Sequence, residues 1–207
     1  MRVIAMRLAV LALLILMFGC ATVGKNFSSD GVTKMSIGNT TENEIFDAFG
    51  EPFKRQSRSE NGIQYQLLVY AYAIGTPDSG KARQLDVEFT NGLLNAYLFH
   101  SALEGDSTDF DIDARSKLNE KKVNQSDVTS LMGRPHGEIH FPSVLLKKLF
   151  GSMPEVVPPA GASKALLYYY SEVRRESGLL NTHAKLLIVY ITSDGSVIET
   201  RHFMGTL

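Results

Sequence analysis

Cysteine, tryptophan and net charge are what this 207-residue chain has least of. It holds one cysteine and no tryptophan, and its 21 Lys and Arg nearly cancel 22 Asp and Glu. A single cysteine excludes an internal disulfide and any cysteine-rich metal site. Charge balance removes the basic surface with which a nucleic-acid binder neutralises phosphates. The longest purely apolar run, Leu8 to Phe18, falls short of the roughly 20 residues that cross a hydrocarbon core as a helix. Catalytic signatures are missing as well: there is no Gly-x-Ser-x-Gly, His-Glu-x-x-His, Cys-x-x-Cys or Gly-Lys-Ser/Thr. The expectation is a protein that is not an enzyme and has no cofactor, metal or nucleic-acid partner. With 44% apolar residues and ordinary glycine and proline content, the chain has enough to build one large core or two small ones.

The residues that are present begin with an address. Arg2 and Arg7 precede the apolar run, and Gly19 and Cys20 close it, as in a secretory signal. Leu16-Met17-Phe18-Gly19-Cys20 resembles a bacterial lipobox, which implies a signal peptide over 1–19, acyl chains such as palmitate on Cys20, and Cys20 as the new N-terminus. A multiply acylated cysteine holds a domain on a bilayer without a helix, because each buried methylene contributes about 0.8 kcal/mol. Residues 20–26 are then expected to act as a lipid tether. Ala21, in place of Asp, implies sorting to the outer membrane by the same resemblance. The mature chain would carry 19 basic and 22 acidic residues, so the lipid and not basic charge would attach it.

Self-similarity organises the remainder. Phe27 to Pro52 aligns with Phe110 to Pro135 without gaps, and Phe27/Phe110, Gly50/Gly133 and Pro52/Pro135 are among five identical pairs. Thr41 and Asn124 are good helix N-caps, and Glu44 and Asp127 stand three residues on, where a capping box needs them. Ile45, Ala48 and Phe49, like Val128, Leu131 and Met132, give each helix one apolar stripe. Glycine and then proline end both helices. Period-two alternation follows: Gln84–Thr90 and Leu93–Ser101 about the Asn91-Gly92 turn, then Lys185–Ile191 and Val197–Phe203 about residues 193–195. Ile63–Ile74 and Ala165–Val173 read as a preceding strand in each half. The expected fold class is α+β: two tandem repeats, 27–105 and 106–207, each with one or two short helices packed on a three-stranded antiparallel β-meander.

The Ile37-Gly38-Asn39-Thr40-Thr41 lead, the helix, Gly50-Glu51-Pro52, a tyrosine-bearing strand and a hairpin with glycine at its turn resemble the SmpA/OmlA (BamE-like) family. The duplicated arrangement also resembles the tandem fold of β-lactamase inhibitor protein. The first resemblance implies an outer-membrane lipoprotein, lipid-anchored at the periplasmic face, that acts as a protein–protein interaction module in cell-envelope assembly or integrity with an envelope protein partner. The alternative implied by the second is an inhibitor or regulator of a periplasmic enzyme, working through its β-sheet face.

Partner-binding candidates come from two places. Tyr65, Tyr70 and Tyr72, and the run Tyr168, Tyr169 and Tyr170, put rings on both faces of a sheet, since strand side chains alternate. They serve either as packing or, for Tyr70, Tyr72 and the Tyr168–Tyr170 run, as an aromatic binding face. The segment 140–162 interrupts the second repeat, with Phe141, Leu145, Leu149 and Phe150 as its candidates. A helix tucked on the core, a partner-binding loop and a membrane-touching segment are all open. Asp109, Asp111, Asp113 and Glu120 have the spacing of a calcium loop, but Ala114 stands where such a loop turns on glycine, and a solvated acidic linker is expected. His136 and His140 follow a proline and have no evident third ligand, so a metal site is not expected.

Overall fold

The computed structural model describes residues 21–75, 79–119, 123–151 and 156–206. The expected signal peptide, Cys20, Lys121, Lys122, Glu120 and Met153 lie outside them. The fold is mixed α+β, mostly strand with a few short helices. In chain order these are β1 (Ala21–Gly24), a 3₁₀ helix (Ser29–Lys34), α1 (Glu42–Phe49), β2 (Lys54–Glu60), β3 (Ile63–Gly75), β4 (Ser79–Thr90) and β5 (Leu93–Ser101). A second 3₁₀ helix (Ile112–Asn119), α2 (Gln125–Met132), β6 (Gly137–His140), α3 (Leu145–Phe150), β7 (Lys164–Glu176), β8 (Leu179–Ile191) and β9 (Val197–Thr206) follow. No helix of the described residues is long and apolar enough to cross a membrane.

Both α1 and α2 start as their sequences require. Thr41 accepts from the Glu44 N–H while the Glu44 carboxylate accepts from the Thr41 N–H, and Asn124 and Asp127 exchange the same two bonds. Replacing either cap with alanine orphans a backbone donor. Thr41→Ala and Asn124→Ala should each cost about 1 kcal/mol, read as a lower urea midpoint at unchanged slope.

The strands form one antiparallel nine-stranded sheet in the order β1-β3-β4-β5-β6-β7-β8-β9, with β2 beside the lower half of β3. Within it β3-β4-β5 and β7-β8-β9 are each three neighbouring antiparallel strands, and β6 continues the sheet from one to the other. β6 pairs with β5 through three residues and with β7 through all four, so the two halves join through backbone hydrogen bonds and not through facing side chains alone. Gly137 is required there, because a Cβ would lie 2.4 Å from the Tyr97 carbonyl oxygen. Where β5 has ended, β4 pairs directly with β7, Gly80 opposite Val173. Residues 21–24 of the expected tether are also a strand, with Ala21 opposite Gly75.

One face of the sheet carries both α1 and α2. Ile45, Phe49 and Phe27 pack on Leu68, Tyr70, Leu85 and Val87, and Val128 and Leu118 pack on Leu166, Tyr168, Leu187 and Val189. The opposite face is covered at its centre by Val144, Leu145, Leu146 and Phe150, packed on Leu67, Leu98, Ile139, Leu167 and Ile188. Of the three readings of 140–162, the described residues show the tucked helix.

Candidate functional site

The two halves repeat a local device built from a phenylalanine, a tyrosine and a cation. Phe27 and Tyr70 meet with ring centroids 6.1 Å apart, and Phe110 and Tyr168 at 5.9 Å. Arg83 donates to the Phe27 carbonyl and lies over its ring, while Lys185 Nζ donates to the Phe110 carbonyl at 2.5 Å and lies over that ring. Tyr168 donates to the Gly133 carbonyl at 2.9 Å. Burial raises the phenols of Tyr70, to about 12, and of Tyr168. Tyr70 and Tyr168 are therefore core residues and present no ring to a partner. Asp109 is held by Lys185 and Asp113 by Arg115, so these two carboxylates of the calcium-spaced stretch have cationic partners in the chain.

The other aromatic and segment candidates divide the same way. Leu145 and Phe150, at the two ends of α3, are buried in the core that it covers. Phe141, Leu149 and Tyr169 are half-buried against that core, Phe141 stacked on Tyr190 and Tyr169 edge-on to Phe150. Tyr170 is half-buried beside Lys185, and Tyr72 is half-buried opposite Arg83. The tyrosine run thus lines both cores, because alternate rings enter layers that are both covered.

What holds α3 down is a pair of buried acids. Asp86 and Glu88 are 1% and 0% exposed on β4. Their alternation with Leu85, Val87 and Phe89 reads as a solvated face, and the only hint otherwise is the apolar supply at 141–150, more than one helix face can absorb. Glu88 accepts from the Val144 N–H at 2.9 Å, Ser143 Oγ at 3.0 Å and Asn95 Nδ2 at 2.8 Å. It thereby caps a helix whose N-cap residue, Val144, has no side-chain acceptor. Lys148, one turn into the helix, reaches Asp86 at 3.4 Å. Burial pushes both carboxyls up, against the hydrogen bonds that stabilise their charge.

Two histidines sit on the seam. His136 Nδ1 lies 3.0 Å from the Tyr169 N–H and 3.1 Å from the Tyr169 carbonyl oxygen, so it accepts from the one or donates to the other according to its tautomer. His100 packs edge-on to Tyr169 with its Nδ1 buried and without a hydrogen-bond partner among the described residues. Burial lowers both rings to about 4, helped at His100 by the nearby His136. His140 lies 2.8 Å from the Glu138 carboxylate.

The end of the sheet at which β1 begins is different in kind. Val23, Ile74, Leu179, Leu180 and Met204, five of the nine large apolar residues exposed among those described, lie at or near it. A cleft of about 260 Å³ opens where β4 meets β7, lined by Val23, Ala73, Ile74, Gly80, Ser171 and Val173. Gly24 closes β1 with a φ of +80°, where a Cβ would lie 2.1 Å from the Ala71 carbonyl oxygen. The chain therefore leaves the sheet at a fixed point.

No protein-family model matches the chain, and no curated protein is similar to it. Its structure is similar to a crystal structure described as a "putative beta-lactamase inhibitor protein" from Streptococcus mutans, with 8% identity, 86% of this chain and 98% of that chain covered, and a TM-score of 0.46.

Proposed function

We propose that the chain is a bacterial envelope lipoprotein, held by acyl chains on Cys20 at the periplasmic face of the outer membrane. There it serves as a protein–protein interaction module built from two tandem copies of a BamE-like unit. The observation that carries this reading is the placement of residue 21. Ala21 opens a strand hydrogen-bonded to β3, so a lipid on the preceding cysteine would be tied to the sheet end that gathers exposed apolar side chains. An anchor mounted on a strand orients the module, whereas a free linker would only localise it. The duplicated phenylalanine, tyrosine and cation device and the paired capping boxes support the tandem reading. The second reading, regulation of a periplasmic enzyme through the sheet face, has less support from the geometry. Helices cover one face and the segment around α3 covers the centre of the other.

In cells fed an alkyne analogue of palmitate, the wild-type protein should take the label and fractionate with outer membrane, and Cys20→Ala should lose both properties. Label-free wild-type protein would overturn the anchor. Crosslinking in solubilised membranes should recover an envelope protein; recovery of a soluble hydrolase alone would favour the second reading.

A further inference from the structure

We propose that the tip of the β7–β8 hairpin, residues 174–181, is a second membrane contact, with Leu179 and Leu180 entering the headgroup and acyl boundary of the bilayer that holds the Cys20 lipid. The proposal rests on the anchor reading and adds the orientation of the whole sheet.

Register places the two contacts together. Ala21 is opposite Gly75, Gly75 opposite Gly80, Gly80 opposite Val173 and Val173 opposite Thr182. At about 4.8 Å per strand, Ala21 and Thr182 stand roughly 19 Å apart in one row across the sheet. From that row β7 continues for three residues, turns at Ser177 and Gly178, and returns through Leu179 and Leu180. The tip therefore extends about 10 Å beyond the row. β1 begins at Ala21, and its N-terminal end faces the side of the row from which the tip extends. A lipid on Cys20 and the hairpin tip thus approach one plane.

The side chains at the tip suit a surrounding medium better than a docking face. Leu179 and Leu180 are 69% and 56% exposed. As neighbours on a strand they point to opposite faces, so a protein seated on either face would bury one and leave the other in water. A bilayer entered end-on covers both. Arg174 and Arg175 sit just behind, within reach of phosphate oxygens, but Glu172 pairs with Arg174, and Glu176 lies 3.0 Å from His183. The charges balance locally, so contact should come from the leucines and be insensitive to salt and to anionic lipid.

The absence of tryptophan supplies the test, since one introduced indole reports alone. The mature chain is coupled through its only cysteine to a maleimide lipid in vesicles of phosphatidylcholine, and separately in vesicles containing phosphatidylglycerol. In Leu180→Trp, and in Leu179→Trp on the other face, emission should shift to the blue and be lost to lipids brominated on their acyl chains, equally at low and high salt. Leu93→Trp, at the β4–β5 turn on the opposite end, should do neither. Tip indoles that stay water-like on the vesicle overturn the inference, as does a shift that occurs without lipid and grows with protein concentration, which would mark self-association. Because the tether is made chemically, such a failure would leave the test of natural acylation at Cys20 untouched.

Discussion

Acidification from pH 7 to pH 4 should destabilise the protein through His100 and His136, and His100→Phe with His136→Asn should remove that loss. Both rings titrate near 4 in the fold, against about 6.5 in an unfolded chain. Between those values the unfolded state binds more protons than the folded one, so stability is full above pH 6.5 and falls as the pH drops through the window. The difference corresponds to about 2 to 3 kcal/mol for each ring. The buried acids act with the opposite sign. Their folded values are raised, so stability from Asp86 and Glu88 is present at low pH and is lost as the pH rises through those values. In wild type the two effects oppose each other, and the histidine variant should expose the acid arm as a flat or mildly rising stability on acidification. Asparagine at 136 keeps an acceptor for the Tyr169 N–H, and phenylalanine at 100 keeps the edge-on ring contact while removing an unpaired nitrogen. Urea midpoints at pH 7, 5.5 and 4.5 make the comparison. An unchanged acid slope in the double variant would show that these rings do not govern it.

Glu88→Ala should cost about 3 kcal/mol and release the covering segment before the sheet unfolds. Alanine leaves the buried N–H of Val144, the N-cap of α3, without an acceptor and deprives the Ser143 hydroxyl of its acceptor, while the Asn95 amide keeps the His140 and Pro142 carbonyls. An unsatisfied buried donor costs about 1 to 3 kcal/mol, and a break in a connected network exceeds one such loss. Glu88→Gln retains one acceptor oxygen and should cost about half as much. Hydrogen exchange should accelerate over residues 144–150 in Glu88→Ala while the amides of β7 and β8 remain protected. Uniform acceleration across the sheet would mean that the segment and the sheet open as one unit. With the segment released, Leu98, Ile139 and Leu167 become a bare apolar face. The same variant therefore tests whether a partner engages that face.

Local physics carried the sequence reading where each signal was complete within a few residues. The capping boxes at Thr41 and Asn124, the stops at Gly50 and Gly133, and the turn at Asn91 and Gly92 all occur where their side chains and dihedral freedom demand. Three strands escaped it. β2 is Lys-Arg-Gln-Ser-Arg-Ser-Glu, with no apolar alternation, because it lies along an exposed edge of β3. β1 and β6 have four residues each, too few for a period to show. β7 and β8 run further than the strands the sequence marked because backbone pairing continues to the hairpin tip.

The burial of Asp86 and Glu88 depends on a segment more than 50 residues away in the chain, and so do the roles of the tyrosines. Alternation tells which side chains share a face, but not whether the face meets water or a later helix. The sequence by itself determined the two capped helices, the hairpins, the mixed α+β class and a lone cysteine behind an apolar run, because each follows from neighbours along the backbone. Tertiary structure alone decided that the halves share one sheet through Gly137, that two carboxylates clasp α3, and that residue 21 and the β7–β8 tip face the same way. Those outcomes are set by strand register between distant segments, and a chain read one residue at a time contains no measure of it.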